Sequence, residues 1–174
     1  MPLAALFNRK SRTAVQALYG AIVAAARDPA FYAEWGVPDT LDGRFELIAM
    51  HAFLALRRLK QAEDSAAFAQ ALFDTMFADL DRNLREMGVG DLSVGRQVKT
   101  MAKAFYGRIV AYERGLVGAD SLDDALRRNL YGTVSPTAPQ VAAAAAYIRR
   151  QAHALDATPV GQLLAGEFPL AQEG

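Results

Sequence analysis

Active sites and metal centres are mostly assembled from histidines, cysteines and paired carboxylates, and this chain offers few of them. His51 and His153 are the two histidines in 174 residues, and there is no cysteine. Neither histidine lies in a Glu-x-x-His or His-Glu-x-x-His spacing, so no metal site is expected. A single imidazole is able to ligate haem, but nothing sets His51 apart from a hydrogen-bonded core histidine, and the core reading is preferred. The absence of cysteine removes thiol catalysis and disulfides, and it suits a reducing compartment. Asp123 and Asp124 are adjacent, and a helix turns neighbours about 100° apart, so they make no acid–base pair. Ser93 and Ser121 read as helix caps rather than nucleophiles. Gly88-Val89-Gly90 lacks the third glycine of a dinucleotide fingerprint, since Ser93 stands there. Gly90 to Gln97 imitates a phosphate loop, but Arg96 and Gln97 replace its lysine and hydroxyl, and a helix rather than a strand precedes it. The expectation is a protein without catalytic residues, metal or cofactor, and not an enzyme.

Binding is the chemistry the remaining residues suit. Arg44, His51 and Arg58 recur every seven residues, which places them on one line of a helix. That line is either a seam between packed neighbours or a recognition strip for a carboxylate or a partner's backbone. Arg96, Lys99 and Lys103 form a basic ridge on a later helix. With the basic arm at residues 1–12, which carries Arg9, Lys10 and Arg12, the ridge suits ribosomal RNA or anionic lipid. Phe105-Tyr106-Gly107-Arg108 is the third candidate surface, with Tyr112 one turn on. Phe105 faces inward, Gly107 permits close approach of another backbone, and Arg108 falls at the margin of the apolar stripe.

The elements that carry these residues are all helical in pattern. Val15, Leu18, Tyr19, Ile22 and Val23 keep helical spacing until Asp28-Pro29. Phe31, Tyr32 and Trp35 follow before a loop at Gly36 to Asp39. A second helix over about 42–60 is apolar on most sides, which predicts a central position. A third runs from a cap at Asp64 or Ser65 to about Met87, with Gly88 as a left-handed C-terminal cap. A fourth, from about 94 to 114 with Ser93 as its cap, carries the inward stripe Val94, Val98, Met101, Phe105, Ile109, Tyr112. A fifth starts at Ser121 and turns Leu122, Ala125, Leu126 and Leu130 inward. After a loop over 131–139, a sixth begins at Thr137 or Ala138 and turns Val141, Ala145, Ile148, Ala152 and Leu155 inward. Thr158-Pro159 opens a short, detachable helix in the segment 157–174, whose tail is expected to fray from Gly166.

No segment alternates like a strand, so the fold class is all-α: a single domain of about six or seven helices over 1–174. Nineteen basic residues balance nineteen acidic ones, which argues against a dedicated nucleic-acid binder. No apolar run reaches the roughly 18–20 residues of a membrane span. The N-terminus is a poor secretory signal, and a cytoplasmic protein is expected.

In order, Tyr19-Gly20, Phe31-Tyr32, Gly36-Val37-Pro38-Asp39-Thr40, Asp42-Gly43-Arg44-Phe45, His51, Arg58-Leu59, Arg85-Glu86-Met87-Gly88-Val89-Gly90-Asp91, Phe105-Tyr106-Gly107-Arg108 and Ala111-Tyr112 make the chain resemble the ubiquinol–cytochrome c chaperone family over roughly 19–130. The resemblance implies a non-enzymatic assembly chaperone for the ubiquinol–cytochrome c reductase, in its bacterial form, with newly made cytochrome b as client. For mitochondrial members it implies action near the ribosomal tunnel exit with a small partner subunit. It supplies no catalytic residue. Two other readings compete: a haem or quinone carrier built on His51, and a peripheral adaptor on the cytoplasmic face of the inner membrane built on the basic ridge.

Overall fold

Helix α3 (Leu41–Lys60) is the hub. The computed structural model describes residues 8–172, and in it α3 buries twelve of its twenty residues. Its ends are built from local chemistry. Thr40 caps the start by accepting a 3.1 Å hydrogen bond from the Gly43 amide. Asp42 lies in the first turn and Arg57, Arg58 and Lys60 in the last, which suits the helix dipole. A helix apolar on nearly every side needs neighbours all round. Here they are α1 (Arg9–Ala26), α4 (Ala66–Glu86), α5 (Asp91–Leu116), α7 (Ala138–Asp156) and α8 (Val160–Leu164). The short α6 (Leu122–Arg128) closes the far side by packing on α5 and α7.

The described residues therefore form eight helical segments and no strand, the all-α class expected. One of them, α2 (Ala30–Ala33), is a single turn after Asp28-Pro29 that seats Phe31 in the core. Gly88 takes the left-handed cap conformation (φ +87°) foreseen for it. Thr137 and Gln140 form a full capping box at the start of α7, with Pro139 tolerated in the first turn.

Several expectations need correction. Arg9, Lys10 and Arg12 do not form an arm; they occupy the opening turn of α1, which Asn8 caps through the Ser11 amide. The rest of the proposed arm, residues 1–7, lies outside the described residues. Ser93 is not a cap, because α5 already starts at Asp91, with Gly90 in the N-cap position. Ser65 holds the N-cap position of α4 but does not cap it. Its hydroxyl lies 2.5 Å from the Leu59 carbonyl and 2.9 Å from the Ala62 carbonyl, so it serves the end of α3 instead. The C-terminal segment is neither detachable nor frayed through its described part. Leu163 and Phe168 are buried, and the Gln151 side chain donates to the Pro169 carbonyl and accepts from the Ala171 amide, both at 2.7 Å.

Candidate functional site

The seven-residue line on α3 does not make a surface strip. Arg44 is exposed, and its Nε donates to Asp39 at 2.8 Å. His51 is fully buried: Nδ1–H donates to the Leu47 carbonyl at 2.7 Å, and Nε2 accepts from the Tyr147 hydroxyl at 2.8 Å. Burial holds the imidazole down at about 4, so it stays neutral in that network. With both nitrogens engaged and no exposure, His51 has no lone pair free for a haem iron and none for a partner. Arg58 donates to the Leu155 carbonyl at 2.9 Å and the Thr158 carbonyl at 3.0 Å, tying α3 to the turn after α7. The line curves from solvent through the core to a helix terminus, because α3 is central and its neighbours differ along its length.

The FYGR segment divides in a similar way. Phe105 is buried. Arg108 turns inward and pairs with Glu46 of α3: its Nε lies 2.6 Å from Oε2, its Nη2 also contacts Oε1, and its Nη1 donates to the Ala104 carbonyl at 2.9 Å. Glu46 is 6% exposed. Burial raises its carboxyl above the usual range although Arg108 pulls it down. Tyr112 lies fully in the core with its ring 5.7 Å from that of Phe53, and its hydroxyl has no hydrogen-bond partner. Arg108, half-buried, and Tyr112, fully buried, are thus both tied into the fold. Gly107 faces open space, and no backbone approaches it. On α5 the glycine that permits a close approach is Gly115, where an added Cβ would stand 2.9 Å from Leu122 Cα of α6.

Among the side chains of Phe105, Tyr106 and Arg108, that of Tyr106 is the one left on the surface, 57% exposed. It walls a groove of about 810 Å³ between α4, α5 and the C-terminal half of α3. Phe53, Leu56, Ala69, Phe73 and Ile109 line it, and Arg57, Lys60, Gln70 and Glu113 rim it. The Tyr106 ring lies 5.5 Å from Phe73, which continues to Phe77 at 4.7 Å and Phe105 at 5.9 Å, so the wall is anchored in the core. Arg57 fixes one rim by donating to Glu113 at 2.9 Å and Asp156 at 2.7 Å. A second groove, of about 680 Å³, lies between α1, α3 and α4, with Arg44, Tyr19, Arg27 and Met87 on its lining. The candidates Arg44 and Tyr106 therefore belong to different grooves. Arg96, Lys99 and Lys103 are all exposed on the outer side of α5.

Sequence reasoning missed Glu46 as the partner of Arg108. The signal was present, since an acid on a helix apolar on most sides requires a cation or a raised pKa. It also missed Gln151, whose position among buried residues of α7 requires partners for both ends of its amide.

A family model described as ubiquinol-cytochrome C chaperone matches residues 33–171. That span starts later than the resemblance in the sequence and carries it through α7 to the tail. The chain is similar to ubiquinol-cytochrome-c reductase complex assembly factor 1 of Xenopus laevis, 26% identical over 128 residues, covering 72% of this chain and 64% of the relative. The Drosophila melanogaster protein of that name is 25% identical over 166 residues, covering 90% and 64%. The chain therefore spans less than two thirds of these curated relatives. A crystal structure of the Cbp3 homolog from Brucella abortus is similar throughout, with a TM-score of 0.83 and 38% identity over 97% of this chain and 96% of that one. On the family match and this overall likeness together, the chain belongs to the ubiquinol-cytochrome c chaperone family.

Proposed function

We propose that the chain is an assembly chaperone of the ubiquinol–cytochrome c reductase, acting by binding and not by catalysis, with newly made cytochrome b as its client. The observation that carries the reading is the groove between α4 and α5, an apolar trough with an exposed aromatic wall at Tyr106 and a charged rim. A client with membrane-spanning helices offers apolar helical faces before its assembly is complete. Such a face fits a trough that supplies aliphatic and aromatic contact below and hydrogen-bonding groups at the edge. Among the described residues no helix is long and apolar enough to cross a membrane, so the groove would meet its client from the membrane surface. The proposal places the protein in the cytoplasm, at the cytoplasmic face of the inner membrane. It includes the ribosome near the tunnel exit and a small partner subunit as partners, following the family resemblance.

A photo-crosslinking amino acid at Tyr106, with Arg149 on the outer side of α7 as the remote comparison, tests the reading in living cells. Cytochrome b recovered from position 106 and not from 149 is the expected result. Equal recovery at both positions, or normal reductase and cytochrome b levels in cells lacking the gene, would overturn it.

A further inference from the structure

We propose that the outer face of α5 is an in-plane binding surface for an anionic lipid bilayer. Leu92, Arg96, Lys99, Lys103, Tyr106 and Val110 fall within an arc about 80° wide when α5 is projected at 3.6 residues per turn, over a length of about 27 Å. The face is unusual for a solvated helix. Leu92 is 88% exposed and Val110 58% exposed, while the inward side of α5 buries Val94, Phe105 and Tyr112 against the bundle. The two aliphatic residues bracket the three cations. Nearby acids do not neutralise those cations: Asp91 is held by Arg85 and Glu113 by Arg57. Arg96, Lys99 and Lys103 take part in none of the ion pairs among the described residues.

Charge and apolarity together select the occupant. A nucleic-acid backbone complements the cations but offers no apolar phase for Leu92 and Val110. A leaflet with anionic headgroups offers both, with phosphates at the depth of the ammonium and guanidinium groups and acyl chains just beneath. Lysine and arginine stems are long enough to lie along the surface while the aliphatic residues dip below it. Tyr106 lies at the edge of this face and also walls the apolar groove, so a bilayer-bound α5 would hold the groove mouth beside the lipid surface. The lipid contact does not depend on the identity of the client.

The test is flotation of the full chain with vesicles of phosphatidylcholine, with and without phosphatidylglycerol. Each basic residue near such a surface contributes roughly fivefold, so Arg96→Gln/Lys99→Gln/Lys103→Gln should lose partitioning on the order of a hundredfold. Arg149→Gln/Arg150→Gln, on the outer side of α7, should lose far less. The loss should be mimicked by raising the salt. Because the chain has no cysteine, Leu92→Cys gives a unique attachment point for an environment-sensitive fluorophore. Its emission should shift to the blue with the anionic vesicles and stay unchanged with phosphatidylcholine alone. All of these positions are exposed, and a matched circular-dichroism melt confirms that each variant folds. Equal flotation of the triple variant and the parent overturns the proposal. So does a label at position 92 that stays wet while vesicles are bound. Competition by polyglutamate as strong as that by anionic vesicles, with the label wet, would instead assign the face to an acidic protein. The crosslinking at Tyr106 reads client binding separately, so the two proposals fail independently.

Discussion

Replacing Arg108 with methionine isolates the question of whether the arginine of the FYGR segment serves the fold or a partner. Its guanidinium pairs with Glu46, which is buried on α3, and also donates to the Ala104 carbonyl on its own helix. In Arg108→Met the Glu46 carboxylate stays buried without a cation, and breaking a buried pair from one side costs about 3–5 kcal/mol. Glu46 has one way out, which is to take up a proton. Its carboxyl is already raised by burial and would rise further without Arg108. The low end of the range, about 3 kcal/mol, is therefore expected at neutral pH. The sign follows from linkage. A carboxyl raised in the folded state costs stability as the pH climbs through its folded value, so the deficit should shrink as the pH is lowered.

The double variant Glu46→Met/Arg108→Met removes both charges and their desolvation cost, and should return to within about 1 kcal/mol of the parent. Urea unfolding followed by far-ultraviolet circular dichroism measures all four corners of the cycle, with an unchanged m-value as the check that the unfolding transition is the same. Client crosslinking from Tyr106 should survive in the double variant, because neither charge reaches the groove. Two results would refute the reasoning. One is an Arg108→Met midpoint equal to the parent's. The other is a double variant that regains stability and still loses the client, which would make Arg108 a contact residue after all.

Tyr112→Phe removes a buried hydroxyl that has no hydrogen-bond partner, so chemical unfolding should show it neutral or stabilised by up to about 1 kcal/mol; a loss of that size would reveal a partner for the hydroxyl. His51 titrates at about 4 in the fold against an ordinary 6.5. Between those values the unfolded chain holds the extra proton, so stability is complete above the higher value and declines by about 3 kcal/mol as the pH falls to the lower one. Denaturant melts across that range should show this slope in the parent and a flatter one in His51→Gln, and identical slopes would remove His51 as the cause. Gly107→Ala should gain up to about 1 kcal/mol in thermal or urea melts, since the position faces open space. Gly115→Ala should lose about 1–3 kcal/mol by pushing α6 off α5, and the reverse order would mean that α5 docks differently.

The faces of the helices were legible because burial imposes a period that composition obeys. The inward residues Val141, Ala145, Ile148, Ala152 and Leu155 of α7 are all buried, and so are Leu122, Ala125, Leu126 and Leu130 in and after α6. Partner choice was not legible, because periodicity says which way a side chain points and nothing about what meets it. Glu46 finds Arg108 at a separation of 62 residues and His51 finds Tyr147 at 96. Glu46 and Gln151 did announce that something must satisfy them, since a polar group on a buried line cannot be left alone. The identity of that something depends on how α5 and the tail fold back, which no local pattern records. Gly107 and Gly115 show the same limit, being equivalent as glycines in one helix until α6 returns against only one of them. Four consecutive residues of α5 therefore diverge. A helix turns about 100° per residue, so Phe105 enters the core, Tyr106 walls the groove, Gly107 meets solvent and Arg108 joins a buried pair. Of the segment that looked like one binding surface, Tyr106 is the side chain left exposed, and it stands where the groove meets the basic face of α5.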